Sequence, residues 1–199
     1  MLIGVNYEGK YDKGPLEEII KNILRREKIE LEEDLSFKWI PSDGPIIGGT
    51  KAKLALFLFG EERPCDLVVF FSDINDDEKL TKLNIEVIKN CREKAFDSFI
   101  IGYAEPEIEQ WFLEEEDALK GIFELDPLSP LSLPGDTPKG ILENLCQNFG
   151  DYSTKDDLYR KIATKLDLGK LLIKNRSFKK FYNDFSSACK KSNRVEFPM

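Results

Sequence analysis

The sequence predicts an α/β fold: a mainly parallel central sheet flanked by helices, followed by a C-terminal helical lobe. Three observations carry this. DLVVFFSD, residues 66–73, is apolar without alternation, the pattern of a central parallel strand covered on both faces. Strand-like and helix-like segments alternate up to residue 123, the order expected of a parallel sheet. From residue 138 onward the patterning is helical only, in GILENLCQNF, DDLYRKIATKL and SFKKFYNDFSSACKK.

Residues 1–7 read as a first strand, with Leu2, Ile3 and Val5 apolar. A turn over residues 8–15 follows. Leu16, Ile19, Ile20, Ile23 and Leu24 then fall on one helical face, behind a proline suited to a first turn. LSFKWIP, residues 35–41, reads as a second strand, and the Gly- and Pro-rich residues 42–49 as a loop. KAKLALFLF in residues 50–59 fits helix or strand. The strand at 66–73 ends on Asp73, an acidic loop follows, and a helix runs to about residue 95. SFIIGYAE, residues 98–105, is another buried strand ending on a carboxylate. Pro106 then opens one helix through EIEQWFLEEEDALKGIF. Residues 124–137 are a Pro-rich connector, so the chain divides into an α/β part, 1–123, and a connector with a helical part, 124–199.

With 199 residues, 41% of them apolar, the chain can bury a sizeable core. It contains no histidine, which excludes Ser-His-Asp and Cys-His mechanisms and His-ligated metals. The four cysteines form no C-x-x-C pair, so buried free thiols are expected rather than a zinc site. No apolar run reaches the ~18 residues that span a bilayer, and the first residues lack signal-peptide features. A cytoplasmic protein with no membrane partner is therefore expected. The net charge is −8, yet residues 151–199 hold 12 Lys and Arg against 6 Asp and Glu. That imbalance suits an anionic partner near the C-terminal part, or a solvated helical surface.

Ligands of parallel α/β sheets sit at the carboxyl ends of the strands. The first strand delivers Glu8 to that edge. The central strand delivers Asp73, with Asn75, Asp76 and Asp77 beyond it, and the later strand delivers Glu105, with Glu107 and Glu109 in the next turn. Oxygen donors of this kind suit Mg²⁺ or Mn²⁺, which can activate water or stabilise a leaving oxygen on phosphate. Acids also follow strands as helix caps and turn formers, so each taken singly has a structural explanation. Gly9 permits a tight turn beside Glu8, and Lys10 and Lys13 are placed to meet a phosphate. In the C-terminal part, Arg176 and Lys179 flank aromatics and could contact phosphate; at helical spacing the aromatics themselves fit a core. Trp111, on an amphipathic pattern, reads as core.

YEGKYDKGPLEEIIKNIL resembles the first motif of Toprim domains: strand, Glu-Gly, Lys, one residue, Asp, then helix. VVFFSDINDD resembles their second motif, an apolar strand ending in Asp-x-Asp, with Asn75 standing where the second aspartate is expected. AEPEIEQWFLEEEDAL resembles the Pro-x-x-Glu-x-Trp segment of RloB-like and related uncharacterised Toprim-like families, with Glu109 and Trp111 at the matching positions. The resemblance implies a Toprim-like Rossmannoid fold, Glu8 as general acid/base, and Asp73 as a ligand to Mg²⁺ or Mn²⁺. It further implies a nuclease of bacterial defence or mobile islands, acting on nucleic acid beside a partner ATPase.

The expected function is thus Mg²⁺- or Mn²⁺-dependent phosphodiester hydrolysis. Glu8 shuttles a proton and is also a candidate metal ligand, Lys10 balances phosphate charge, and Asp73 holds metal with Asn75, Asp76 or Asp77. Glu105 and Glu109 are candidates for a second acidic cluster. The alternative is a catalytically degenerate Toprim fold that binds or senses within an ATPase complex, which Asn75 favours. DNA and RNA, and monomer and homo-oligomer, stay open.

Overall fold

The computed structural model describes residues 1–29, 35–47, 50–61, 64–126, 137–149 and 154–192. Its centre is a four-stranded, all-parallel sheet of β1 (Leu2–Tyr7), β2 (Ser36–Pro41), β3 (Leu67–Asp73) and β4 (Phe99–Ala104), in the spatial order β2-β1-β3-β4. Ile3 of β1 lies opposite Phe37 of β2 and Leu67 of β3. The fold is α/β and Rossmann-like, with helices on both faces of the sheet.

The alternation of side chains along each strand sets the two faces. On one face Ile3, Val5, Tyr7, Val69, Phe71 and Ile100 meet α1 (Lys13–Arg26) and the helices that follow β4. On the other face Val68, Phe70 and Tyr103 meet α2 (Lys51–Gly60) and α3 (Asp77–Glu93). β3 is buried along nearly its whole length, which explains its unbroken apolar run. KAKLALFLFG is helical, as α2; Ala52, Ala55, Leu56 and Phe59 turn inward at helical spacing.

The segment after β4 is not one helix. It forms α4 (Ile108–Leu113) and α5 (Glu116–Ile122), with Glu107 as the first N-cap, one residue beyond Pro106. Glu115 leaves helical geometry at φ −108° and ψ 58°, and the chain changes direction there. The break lets Trp111 and Phe112 of α4 and Leu119 and Phe123 of the next segment all reach the same core.

The later helices, α6 (Pro138–Phe149), α7 (Lys155–Lys165), α8 (Leu168–Lys174) and α9 (Arg176–Ser192), share the α1 core. Phe178, Phe181 and Phe185 of α9 point inward, and Lys179 and Lys180 point out. Trp111 is fully buried, edge-on to Phe71 at 5.4 Å and to Phe178 at 5.1 Å. Its indole N–H donates to Ser177 Oγ at 2.9 Å. The cysteines are free: Cys65, Cys91 and Cys189 are buried, and Cys146 is half-buried. No helix among the described residues is long and apolar enough to cross a membrane. Most of the Pro-rich connector, residues 127–136, lies outside the described residues.

Candidate active site

The strand order creates a topological switch point. From β1 the chain moves outward to β2 through α1 on one face; from β3 it moves outward to β4 through α3 on the other. Connections that diverge in this way open a crevice at the carboxyl ends of the two central strands. Glu8 follows β1 and Asp73 closes β3, so both acids stand on that rim.

They face opposite sides of it. Glu8 turns to the α2–α3 side, where its Oε1 accepts from the Ile46 backbone N–H at 2.9 Å and from the Ser72 hydroxyl. The Lys79 ammonium lies 3.8 Å from Glu8 Oε2 and also donates to the Asp73 backbone carbonyl. One lysine thus ties the ends of β1 and β3 together. Behind Glu8, the fully buried Asn6 donates through Nδ2 to Ser42 Oγ at 2.8 Å and to the Ile40 carbonyl at 2.9 Å.

Asp73 turns to the α1–α4 side. Its Oδ1 accepts from the Ile108 N–H at 3.2 Å, at the start of α4. Burial pushes its carboxyl up to about 8, reinforced by the charges of Asp12, Glu109, Glu8 and Glu107. Asp12, 7% exposed, accepts from the Gly9 N–H at 2.7 Å. Its own carboxyl is pushed up to about 6 by burial, against that hydrogen bond, with Glu109 and Glu8 adding to the rise and Lys139 opposing it. Glu109, 6% exposed, accepts from the Tyr159 hydroxyl at 2.7 Å. That phenol is held well above its usual range by burial and by Glu109. Glu107 accepts from the Lys139 backbone N–H at 2.7 Å and is raised chiefly by burial.

The other residues singled out in the sequence lie further out. Lys10 and Lys13 are exposed, with the Lys10 ammonium 5.5 Å from the Tyr11 ring centroid. Asn75, Asp76 and Asp77 are exposed; Asp76 caps α3 by accepting from the Lys79 N–H at 2.6 Å. Glu105 is exposed, and its backbone N–H donates to Ser177 Oγ at 3.3 Å. That contact sets the first turn of α9, with exposed Arg176 and Lys179, against the end of β4.

Sequence reasoning did not single out Ser72, Lys79, Tyr159, Lys139 or Lys155 as site residues, and it mentioned Asp12 only as part of a motif. Asp12 had a signal, since it is the aspartate of the Glu-Gly-Lys-x-Asp stretch. Lys79 stands in the first turn of α3, three residues beyond its cap. Tyr159 meets Glu109 across fifty residues of chain, and no local pattern announces that contact.

A carboxyl whose proton affinity is raised by burial and by neighbouring acids, as that of Asp73 is, is chemically matched to a divalent cation. Asp73, Asp12 and Glu109 are the carboxylates that could serve such an ion on this side, and among the described residues no three acidic or cysteine side chains form a metal-binding group. In comparisons with known proteins, no family model, no curated protein and no solved structure matches the chain.

Proposed function

We propose that this chain is a Mg²⁺- or Mn²⁺-dependent phosphodiester hydrolase of the Toprim type, with its site on the shared rim of β1 and β3. The observation that carries the reading is that Glu8 and Asp73 stand on one rim at the switch point, where Lys79 lies beside the Glu8 carboxylate and donates to the Asp73 backbone carbonyl, the two carboxylates turning to opposite sides of that rim. Glu8 is oriented by Ser72 and by the Ile46 amide, and moves a proton at the reacting oxygen. Asp73 and Asp12 supply carboxylate oxygen on the opposite side. Lys79 places a fixed positive charge between the two halves, where charge develops on a phosphate. A bound divalent ion supplies Lewis acidity toward phosphate oxygen. The motif resemblance adds nucleic acid as the substrate and an ATPase as partner.

A panel of plasmid DNA, oligonucleotides and RNA, incubated with Mn²⁺ or Mg²⁺, tests this. Wild-type protein is expected to cleave at least one of them. Glu8→Gln and Asp73→Asn are each expected to lower the rate roughly 100-fold or more while the proteins stay folded. Equal rates in wild type and both variants would show that any cleavage is a contaminant.

Asn75 favours a second reading, a catalytically silent subunit of an ATPase complex. An amide at that position offers oxygen without charge, so it contributes less to cation affinity than aspartate. Stable capture of a co-expressed ATPase, with no cleavage across the panel, would decide for it.

A further inference from the structure

Three lysines from three separate parts of the chain border the residues near Asp73: Lys139 is felt by Asp12 and Glu107, Lys155 by Glu107, and Lys10 lies with Lys155 by the ring of Tyr11, next to Asp12. Lys10 comes from the turn after β1, Lys139 from the first turn of α6, and Lys155 from the first turn of α7. The Lys10 and Lys155 ammonium groups lie 5.5 and 5.4 Å from the centroid of the half-buried Tyr11 ring. Lys155 is also 4.9 Å from the ring of Tyr159, the residue that holds Glu109, and 3.2 Å from Glu143. The Lys139 backbone is anchored on Glu107. In a chain of net charge −8, this rim gathers cations and an aromatic ring above recessed carboxylates.

We infer that the site takes a single-stranded nucleic acid, its phosphates on Lys10, Lys139 and Lys155 and one unpaired base on Tyr11. Two features select a single strand. Asp12 and Glu109 are buried and Asp73 is half-buried, so a phosphate must descend below the surface to reach them. A flexible strand can bend into such a recess, whereas a duplex presents a stiff, continuous backbone. Tyr11 gains a stacking partner only from a base that is not already stacked in a duplex. The incoming base displaces an ammonium from the ring, and phosphate offers that ammonium a stronger partner.

The inference takes from the hydrolase reading only the point at which phosphate is presented, and its test needs no chemistry. Fluorescence anisotropy would measure binding of labelled strands of about 20 nucleotides, single and duplex, in EDTA at about 50 to 200 mM salt. The single strand is expected to bind at least roughly tenfold more tightly than the duplex. Its log K against log salt is expected to fall with a slope of about −2, from three phosphate contacts. Lys10→Gln, Lys139→Gln and Lys155→Gln should each make that slope shallower by about 0.7. Tyr11→Leu should lose roughly tenfold in affinity at constant slope, and Tyr11→Phe should retain it. Thermal melts would confirm that the variants fold, with exposed Lys10 as the safest substitution. Equal affinity for duplex, a slope indifferent to all three lysines, or no binding of either form overturns the inference. Single-strand binding without metal-dependent cleavage would sink the hydrolase reading and leave this one standing; cleavage confined to duplex would do the reverse.

Discussion

Asp73 sets the electrostatics of the rim. Its carboxyl binds a proton up to about pH 8 in the folded chain but only to about 3.8 when unfolded. Between those values the folded state holds more protons than the unfolded state, so stability falls as pH rises. Asp12 adds the same sign of effect up to about pH 6. Asp73→Asn removes the charge and keeps an oxygen for the Ile108 N–H. The variant should be more stable than wild type at about pH 8, by on the order of 2–4 kcal/mol, and nearly equal at about pH 4. Thermal melts across that range check this, and a difference that does not grow with pH would contradict it. Mn²⁺ at about pH 8 should raise the wild-type Tm more than that of Asp73→Asn. At this scale the sequence shows an acid at the end of three of the four strands, because chain position alone puts it on the rim. It does not show which way each acid turns. The pleat decides that, sending Glu8 toward Ser72 and Asp73 toward Asp12.

The elements hold this rim through a few polar junctions. Asn175 accepts from the Phe178 N–H at 2.9 Å and so caps the first turn of α9. Ser177, in the same turn, donates to Asn175 at 2.9 Å and accepts from the Trp111 indole and the Glu105 amide. One hydroxyl therefore joins α9 to α4 and to the end of β4. Ser177→Ala leaves the buried Trp111 N–H without its acceptor and should cost about 1–3 kcal/mol in urea unfolding, with no change in m-value. A cost below about 0.5 kcal/mol would mean that the junction is not rigid. The strands were legible because their apolar runs are short and bounded by turn residues. The break at Glu115 was not: residues 107–123 carry good helix formers throughout, and only the demand that Trp111 and Leu119 reach one core separates α4 from α5.

Across the whole molecule, the helices after residue 137 complete both the core and the site. Leu142, Leu158, Ile162, Leu171, Phe178 and Phe181 are buried in the same cluster as Ile3, Val5 and Phe71. A chain ending at residue 126 would uncover the part of that face on β3 and β4 that α9 packs against, and the side of α1 that packs against α7. It should bind a hydrophobic dye and lose its cooperative melt; a sharp, reversible transition in that fragment would contradict this view. The helical character of this part is plain in its patterning, but its share in the rim is not. Tyr159, Lys139 and Lys155 arrive there only through packing against α1 and α4.

Anomalous scattering from a crystal soaked in Mn²⁺ tests the central claim most directly. The account predicts an ion bonded to Asp73, within the rim that β1 and β3 share. A rim left empty at saturating Mn²⁺ and neutral pH, or an ion held only by the exposed carboxylates of Asp76 and Asp77, would contradict it.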